Sequence, residues 1–116
     1  MAEIYVDGSG FNGIESKFCI VVNEKEPIIK SFKEKRTSNE MEYSALLEAL
    51  SFYAKEGDTI YTDSQLMLGH LTRGWKQNYP HLKPLIEKCK KLLDENKILL
   101  VWIPREQNKA GKILER

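Results

Sequence analysis

The sequence predicts an α/β domain: a mixed five-stranded sheet with helices on both of its faces. Three strand-like segments come first, joined by short links, and they favour an antiparallel meander. Helical and strand periodicities then alternate to the end of the chain, which is typical of parallel strands joined by right-handed crossovers. The first strand is apolar on both faces and therefore belongs in the middle of the sheet. The strand order that follows is 3-2-1-4-5.

The first third of the chain supplies the meander. Strands are predicted over residues 2–7, 16–22 and 28–33. The third segment begins to alternate between apolar and polar residues after Ile29, which indicates an edge strand with one wet face. In the first strand an acid, Asp7, stands where the apolar run should continue, and Gly8-Ser9-Gly10 follows it. The strand is therefore expected to end at this carboxylate.

The rest of the chain alternates helices with strands. An apolar stripe at helical spacing predicts a long helix over 40–56, with Gly57 as its C-terminal stop. A short buried strand is expected at 59–62 and a short helix at 64–70. A second long helix is predicted over 81–95, a strand over 97–103 and a short final helix over 108–116.

Composition places the chain among ordinary globular domains. Its 116 residues suit one domain, 1–116, and 41% are hydrophobic and 30% charged. No apolar run approaches the roughly 20 residues of a membrane span, and no leader is recognisable, so we expect a cytoplasmic protein without a membrane partner. Cys19 and Cys89 lie in apolar segments and are expected to be reduced core residues. The sequence indicates no protein partner.

Three acids are expected to meet at one edge of this sheet. Asp7 and Asp63 end the first and fourth strands, which would lie about 4.8 Å apart as parallel neighbours. Glu42 lies in the first turn of the long helix. Each acid has an ordinary alternative: a turn at Asp7-Gly8, a helix N-cap at Asp63, and a capping box between Asn39 and Glu42.

Converging carboxylates repel one another unless a cation compensates their charge. Carboxylate oxygens with no His or Cys beside them favour Mg²⁺ or Mn²⁺. Paired divalent ions about 4 Å apart are the usual apparatus of phosphodiester hydrolysis. The sequence therefore predicts a metal site at Asp7, Glu42 and Asp63.

A glycine pattern beside Asp7 resembles a dinucleotide-binding motif but is not expected to act as one. Gly8 to Gly13 fit Gly-x-Gly-x-x-Gly, yet that motif must open a helix, and residues 16–22 are predicted to form a strand. We expect these glycines to admit a nucleic-acid backbone at close range instead.

Four segments together resemble the type 1 ribonuclease H family, in its short form related to reverse-transcriptase-associated ribonuclease H domains. The matching segments are residues 4–9, 37–46, 60–65 and 102–108. The resemblance implies a ribonuclease H-like fold and an endonuclease that cuts the RNA strand of RNA–DNA hybrids with two divalent ions. Asp7, Glu42 and Asp63 match the first three metal-binding acids of the family; Asp7 and Asp63 would hold the ions, and Glu42 would also orient the RNA.

The chain departs from the family in three places. The fourth acid of the family's last helix is missing, and Gly111 or Lys112 takes its place, with Glu106 as a possible substitute. The preceding loop carries Arg105 instead of the histidine that many members have. Between Gln77 and Pro80 there is no room for the basic insertion. These departures leave open a hybrid-binding or assembly domain with lost or weak catalysis, and a nuclease for structured DNA.

The resemblance also implies a substrate-binding surface around the acids. The residues expected to contact the RNA strand or a phosphate near the metals are Gly8, Ser9, Ser38, Asn39, Gln65, Arg105 and Asn108. Lys35, Arg36 and Thr37 resemble the segment that holds a phosphate of the DNA strand, and Trp75 and Tyr79 would lie against a DNA sugar. Helix capping is the alternative for Asn39, and core packing is the alternative for Trp75.

Overall fold

A computed structural model of the chain describes residues 1–76 and 78–114. The strands are β1 (Glu3–Ser9), β2 (Ser16–Val22), β3 (Ile28–Phe32), β4 (Thr59–Thr62) and β5 (Leu99–Trp102). The α-helices of the described residues are α1 (Ser38–Glu48), α2 (Gln65–Thr72), α3 (Lys83–Glu95) and α4 (Lys109–Leu114). A π-helix covers Ala49–Tyr53, and single 3₁₀ turns cover Pro80–Leu82 and Arg105–Gln107. The predicted order of strands and helices is confirmed; the last two positions of the predicted final helix lie outside the described residues.

The sheet has the predicted order, β3-β2-β1-β4-β5. Strand β1 lies at its centre, antiparallel to β2 and parallel to β4. The parallel ladder runs from the pair Glu3–Thr59 to the pair Tyr5–Tyr61. Asp7 and Asp63 each stand two residues beyond that last pair, so the register itself delivers both acids to the same edge.

The prediction that β1 ends at Asp7 is wrong by two residues. Gly8 pairs with Phe18 of β2, and Ser9 pairs with Lys17. The strand continues because its antiparallel neighbour is longer than its parallel neighbour. Asp7 therefore lies where β1 still pairs with β2 on one side but no longer pairs with β4 on the other.

Helix α1 starts earlier and ends sooner than the periodicity predicts. The Thr37 hydroxyl accepts a hydrogen bond from the Glu40 backbone N–H at 3.1 Å, and the Glu40 carboxylate accepts one from the Thr37 N–H at 3.0 Å. This capping box fixes the start of the helix. The π-helix that continues α1 ends at Tyr53, and Ala54 has an extended backbone conformation. Gly57 lies in the turn that follows, with a φ of 85°.

Helices cover both faces of the sheet, as predicted, but unequally. Helices α1, α2 and α3 pack one face and share a core with the buried strand residues, among them Ile4, Ile20 and Ile60. Helix α4 covers the other face through Ala110 and Leu114. Asp7 shares its strand face with Tyr5, which packs beside α4, because alternate strand residues point the same way. No helix in residues 1–76 and 78–114 is both long and apolar enough to cross a membrane.

Candidate active site

Three carboxylates converge at the edge of the sheet where β1 and β4 part. One oxygen each from Asp7, Glu42 and Asp63 can be chosen so that all three lie within 4.8 Å of one another. Each of these residues is half-buried. The sequence predicted this convergence, and the structure brings the three side chains together.

Glu42 reaches the other two acids because α1 crosses directly over β1 at Gly8. A Cβ atom added to Gly8 would lie 2.3 Å from the Glu42 backbone nitrogen and 2.4 Å from the Met41 carbonyl carbon. Those distances are below any ordinary contact, so only glycine allows this crossing. We expected the glycine to admit a nucleic-acid backbone; the backbone that approaches it here belongs to the protein's own helix.

The ordinary alternatives for Glu42 and Asp63 do not match the observed helix ends. Helix α1 is capped by Thr37 and Glu40, and not by Asn39 with Glu42. Helix α2 is capped by Ser64, whose hydroxyl accepts a hydrogen bond from the Met67 N–H at 3.1 Å. Neither acid is needed as a cap, which leaves both carboxylates for the cluster.

The acids line a cleft of about 270 Å³ whose wall also includes Gly8, Ser9, Gly10, Ser38 and Arg105. Burial raises the pKa of Glu42 to about 8, and the neighbouring charges of Asp7 and Asp63 add to the rise, while Arg105 opposes it. In the absence of a cation the cluster therefore retains a proton near neutral pH. A larger cavity of about 700 Å³ beside Phe52 shares no lining residue with this cleft.

The predicted substrate-binding residues separate into those on the cleft wall and those away from it. Gly8, Ser9, Ser38 and Arg105 line the cleft, and Gly10, which was not among the predicted site residues, joins them. A Cβ atom added to Gly10 would lie 2.8 Å from the Ser38 backbone nitrogen. This close approach between two segments could not be predicted from the sequence. The predicted residues outside the lining are Thr37, Asn39, Gln65 and Asn108.

Those four residues have different surroundings. Thr37 uses its hydroxyl to cap α1. Asn39 is half-buried in the first turn of α1, and Gln65 is exposed at the start of α2. Asn108 is fully buried, and its amide is hydrogen-bonded to protein atoms on both its nitrogen and its oxygen. A phosphate contact by the Asn108 side chain does not fit that environment.

Gly111 occupies the place in α4 that faces the acids. A Cβ atom there would lie 3.2 Å from Asp7 Oδ2 and 3.5 Å from Asp63 Oδ2. Of the two sequence registers, the structure therefore favours Gly111 over the exposed Lys112 as the counterpart of the missing fourth acid. Glu106 is exposed and does not belong to the acidic cluster of the described residues.

The segment expected to hold a DNA phosphate is partly engaged within the protein. The Arg36 guanidinium lies 4.4 Å from the Phe32 ring centroid and is paired with Glu34. Lys35 is exposed. Trp75 is 42% exposed although its ring packs directly on Gly69 of α2, so it presents one face to solvent. Tyr79 is exposed to a similar extent.

The donor set determines which ion this cleft suits. Three carboxylates offer only hard oxygen ligands, and no His or Cys of the described residues joins them. Such a set fits Mg²⁺ or Mn²⁺ better than zinc or copper. A divalent cation would also compensate the repulsion from Asp7 and Asp63, which adds to burial in raising the pKa of Glu42.

Comparisons with known proteins agree with the fold. The chain resembles RNase H1 from the halophilic archaeon Halobacterium salinarum with a TM-score of 0.81 and 23% identity, covering 97% of this chain and 92% of that one. It resembles the N-terminal RNase H domain of a Mycobacterium tuberculosis protein with a TM-score of 0.75 and 23% identity, over 92% and 84% of the two chains. LC11-RNase H1, solved in complex with an RNA/DNA hybrid, matches with a TM-score of 0.76 and 21% identity, over 99% and 100%.

The sequence itself matches a family model over nearly its whole length. The model of RNase H matches residues 1–111, a range that contains all three acids and Gly111. The prediction of a ribonuclease H enzyme is thereby confirmed at the level of the family, and so is the ribonuclease H-like fold. The chain belongs to the RNase H family.

Proposed function

We propose that this protein is an endoribonuclease that hydrolyses the RNA strand of RNA–DNA hybrids and depends on divalent metal ions. The observation that carries the proposal is the convergence of Asp7, Glu42 and Asp63 within 4.8 Å in a chain of the RNase H family. The hybrid bound in the LC11-RNase H1 structure supports the choice of substrate.

Two ions, Mg²⁺ or Mn²⁺, are the proposed cofactors. Asp7 and Asp63 are the residues that would hold them, and Glu42 would hold metal and orient the RNA. When bound, the ions would supply Lewis-acid activation of water and neutralise charge on the phosphate. The fit rests on the oxygen-only donor set and on the closeness of three carboxylates, whose mutual repulsion adds to burial in raising the pKa of Glu42.

Side chains and backbone of the protein would position the RNA phosphate for hydrolysis. Water adds to phosphorus, the bond from phosphorus to the RNA 3′-oxygen breaks, and the products carry 5′-phosphate and 3′-hydroxyl ends. Arg105, on the cleft wall, can hold a non-bridging phosphate oxygen through its guanidinium N–H groups. The close packing of α1 on β1 at Gly8 would hold Asp7 and Glu42 at a fixed separation.

Recognition of RNA rather than DNA requires contact with the 2′-hydroxyl. The cleft wall offers the hydroxyls of Ser9 and Ser38 and the backbone at Gly8 within the same concave surface as the acids. These are the groups we assign to the RNA strand. We propose that Asn39 and Gln65 contact the RNA strand outside the cleft. Contacts to the DNA strand are proposed for Lys35, Thr37, Trp75 and Tyr79.

A second candidate is a hybrid-binding or assembly domain with weak or lost catalysis. Gly111 favours it, because the helix that faces Asp7 and Asp63 contributes no carboxylate. The three remaining acids argue against it, because carboxylates held within 4.8 Å of one another repel, and a binding module gains nothing from keeping them together.

A cleavage assay separates the candidates. Labelled RNA–DNA hybrid, duplex DNA, duplex RNA and single strands are offered with Mg²⁺, with Mn²⁺ and with chelator. Cleavage of the hybrid alone, dependent on metal, is expected. Hybrid binding without cleavage under every metal condition would favour the binding module, and cleavage of structured DNA would favour the DNA nuclease.

A further inference from the structure

Asn108 connects three parts of the molecule through one buried amide. Its side chain has 0% exposure. Its Nδ2 donates to the Val6 carbonyl oxygen at 3.0 Å and to Asp63 Oδ2 at 3.2 Å. Its Oδ1 accepts from the Ala110 N–H at 3.1 Å and the Gly111 N–H at 3.4 Å. The amide thus joins β1, the end of β4 and the first turn of α4.

Every donor of this amide is occupied. A primary amide carries two N–H donors and one carbonyl acceptor. Val6 and Asp63 take the donors, and the start of α4 takes the acceptor. Because no hydrogen-bonding capacity faces solvent, the role of Asn108 must be exerted on its partners and not on a ligand.

Among the hydrogen-bond partners of Asn108, Asp63 is the one that belongs to the acidic cluster. A carboxylate turns freely about the bond to its carbon stem, and turning exchanges which oxygen faces a ligand. A donor fixed at 3.2 Å from Oδ2 holds one oxygen and so sets the direction of the other. The donor itself cannot shift, because its second N–H is tied to the central strand at Val6.

The other end of the amide sets the approach of α4. Gly111 faces Asp7 Oδ2 and Asp63 Oδ2, and a Cβ atom added there would lie 3.2 Å and 3.5 Å from these two oxygens. The Asn108 oxygen accepts the N–H of Gly111 and thereby holds this glycine opposite the two carboxylates. The position of α4 and the rotation of Asp63 are therefore controlled by one side chain.

We propose that Asn108 is a positioning residue of the cation site: it orients the Asp63 carboxylate toward Asp7 and Glu42 and couples α4 to that orientation. The inference rests on the proposed binding of divalent ions at the three acids. It assigns Asn108 to the metal site by way of Asp63, in place of the phosphate contact expected from the sequence.

Calorimetric titration of the chain with Mn²⁺ tests the proposal without any substrate. Asn108→Ala should weaken Mn²⁺ binding 10- to 100-fold, the usual effect of removing a hydrogen-bond partner of a ligand. Leu114→Ala is the matched control: Leu114 is 5% exposed and packs α4 on the same sheet face, in a cluster with Cys19, Val21 and Ala110. Both variants are measured at a temperature where urea unfolding shows them folded, and the control should bind Mn²⁺ like the wild type.

Nuclear magnetic resonance gives a second readout on the unmodified protein. The Nδ2 signals of Asn108, assigned by triple-resonance experiments on the wild-type protein, should exchange slowly with solvent and shift when Mg²⁺ is added. If Asn108→Ala does not fold, this arm decides alone: signals that do not respond to Mg²⁺ overturn the proposal.

The outcomes separate this inference from the proposed function. Wild-type protein that binds Mn²⁺ while Asn108→Ala binds it equally well would reject the positioning role and leave the cation site intact. Equal losses in Asn108→Ala and Leu114→Ala would also reject it, since general destabilisation would then explain both. Wild-type protein that binds no Mn²⁺ would reject the cation site, and the role of Asn108 with it.

Discussion

The α-carbon of Gly8 lies so close to Glu42 that a side chain at position 8 would collide with the backbone nitrogen of Glu42 at 2.3 Å. The strand that carries Asp7 and the helix that carries Glu42 therefore cross at a point where only glycine fits. The distance between these two acids is set by that crossing.

Gly8→Ala should consequently damage both folding and metal binding. The added methyl group meets rigid backbone, so we expect a loss of about 1–3 kcal/mol in the free energy of unfolding, typical of overpacking, measured in urea. Gly111→Ala is the comparison: its methyl group meets carboxylate oxygens at 3.2 and 3.5 Å, which can move, so its stability loss should be smaller. A larger stability loss in Gly111→Ala than in Gly8→Ala would contradict the conclusion that the crossing at Gly8 is the tighter contact.

Asp7→Asn should stabilise the metal-free protein while abolishing turnover. The charge of Asp7 is one cause of the raised pKa of Glu42, so its removal relieves repulsion. We expect a gain of about 1 kcal/mol in chelator, measured by thermal unfolding, and a loss of several orders of magnitude in hybrid cleavage. Normal turnover in this variant would remove Asp7 from the catalytic site.

The stability of the metal-free protein should fall as the pH rises. Glu42 has a folded-state pKa of about 8 against an ordinary value of 4.5, so the folded chain holds this proton more tightly than the unfolded chain. The resulting stability is complete below pH 4.5 and is lost as the pH rises through about 8. Desolvation of the carboxylate is the main cause.

Glu42→Gln isolates this effect, because the amide does not titrate. In chelator its stability should stay flat across that range and exceed that of the wild type by several kcal/mol at the alkaline end, since one unit of pKa shift corresponds to about 1.4 kcal/mol. Unfolding in urea at several pH values measures the difference. An equally steep pH dependence in the variant would assign the titration to another group.

Arg105→Gln should weaken hybrid binding in a salt-dependent manner. Arg105 lines the acidic cleft, to which the proposed function brings a phosphate of the RNA strand. Removal of one phosphate contact should lower the slope of log affinity against log salt by about one. Lys91 is the control: it is exposed on α3 and pairs with Glu95 at 3.9 Å. A slope unchanged in Arg105→Gln, or equally changed in Lys91→Gln, would argue against the contact.

The parts of this site that could be predicted from sequence are those fixed by periodicity. Strand and helix patterns order the sheet, and the sheet order brings Asp7 and Asp63 to one edge. Glu42 follows from its place before the apolar stripe of α1. These inferences need only the type, order and orientation of the strands and helices, which the local spacing of apolar residues indicates.

The remainder depends on distances between elements, which no local pattern contains. Gly8 looks like a turn residue in the sequence and Gly111 like one position of a short helix, and only the packing of α1 and α4 shows that each marks a close approach. Asn108 looks like a surface polar residue, yet it is buried because α4 folds back over β1. The continuation of β1 to Ser9 depends on the length of its neighbour β2.

Crystals soaked in Mn²⁺ and examined by anomalous scattering give the most direct test of the shared cation site. We predict an anomalous peak with carboxylate oxygens of Asp7, Glu42 and Asp63 as its ligands, and loss of that peak in Asp7→Asn. Crystals that take up Mn²⁺ elsewhere, or that show the three carboxylates turned away from one another with no peak between them, would contradict it.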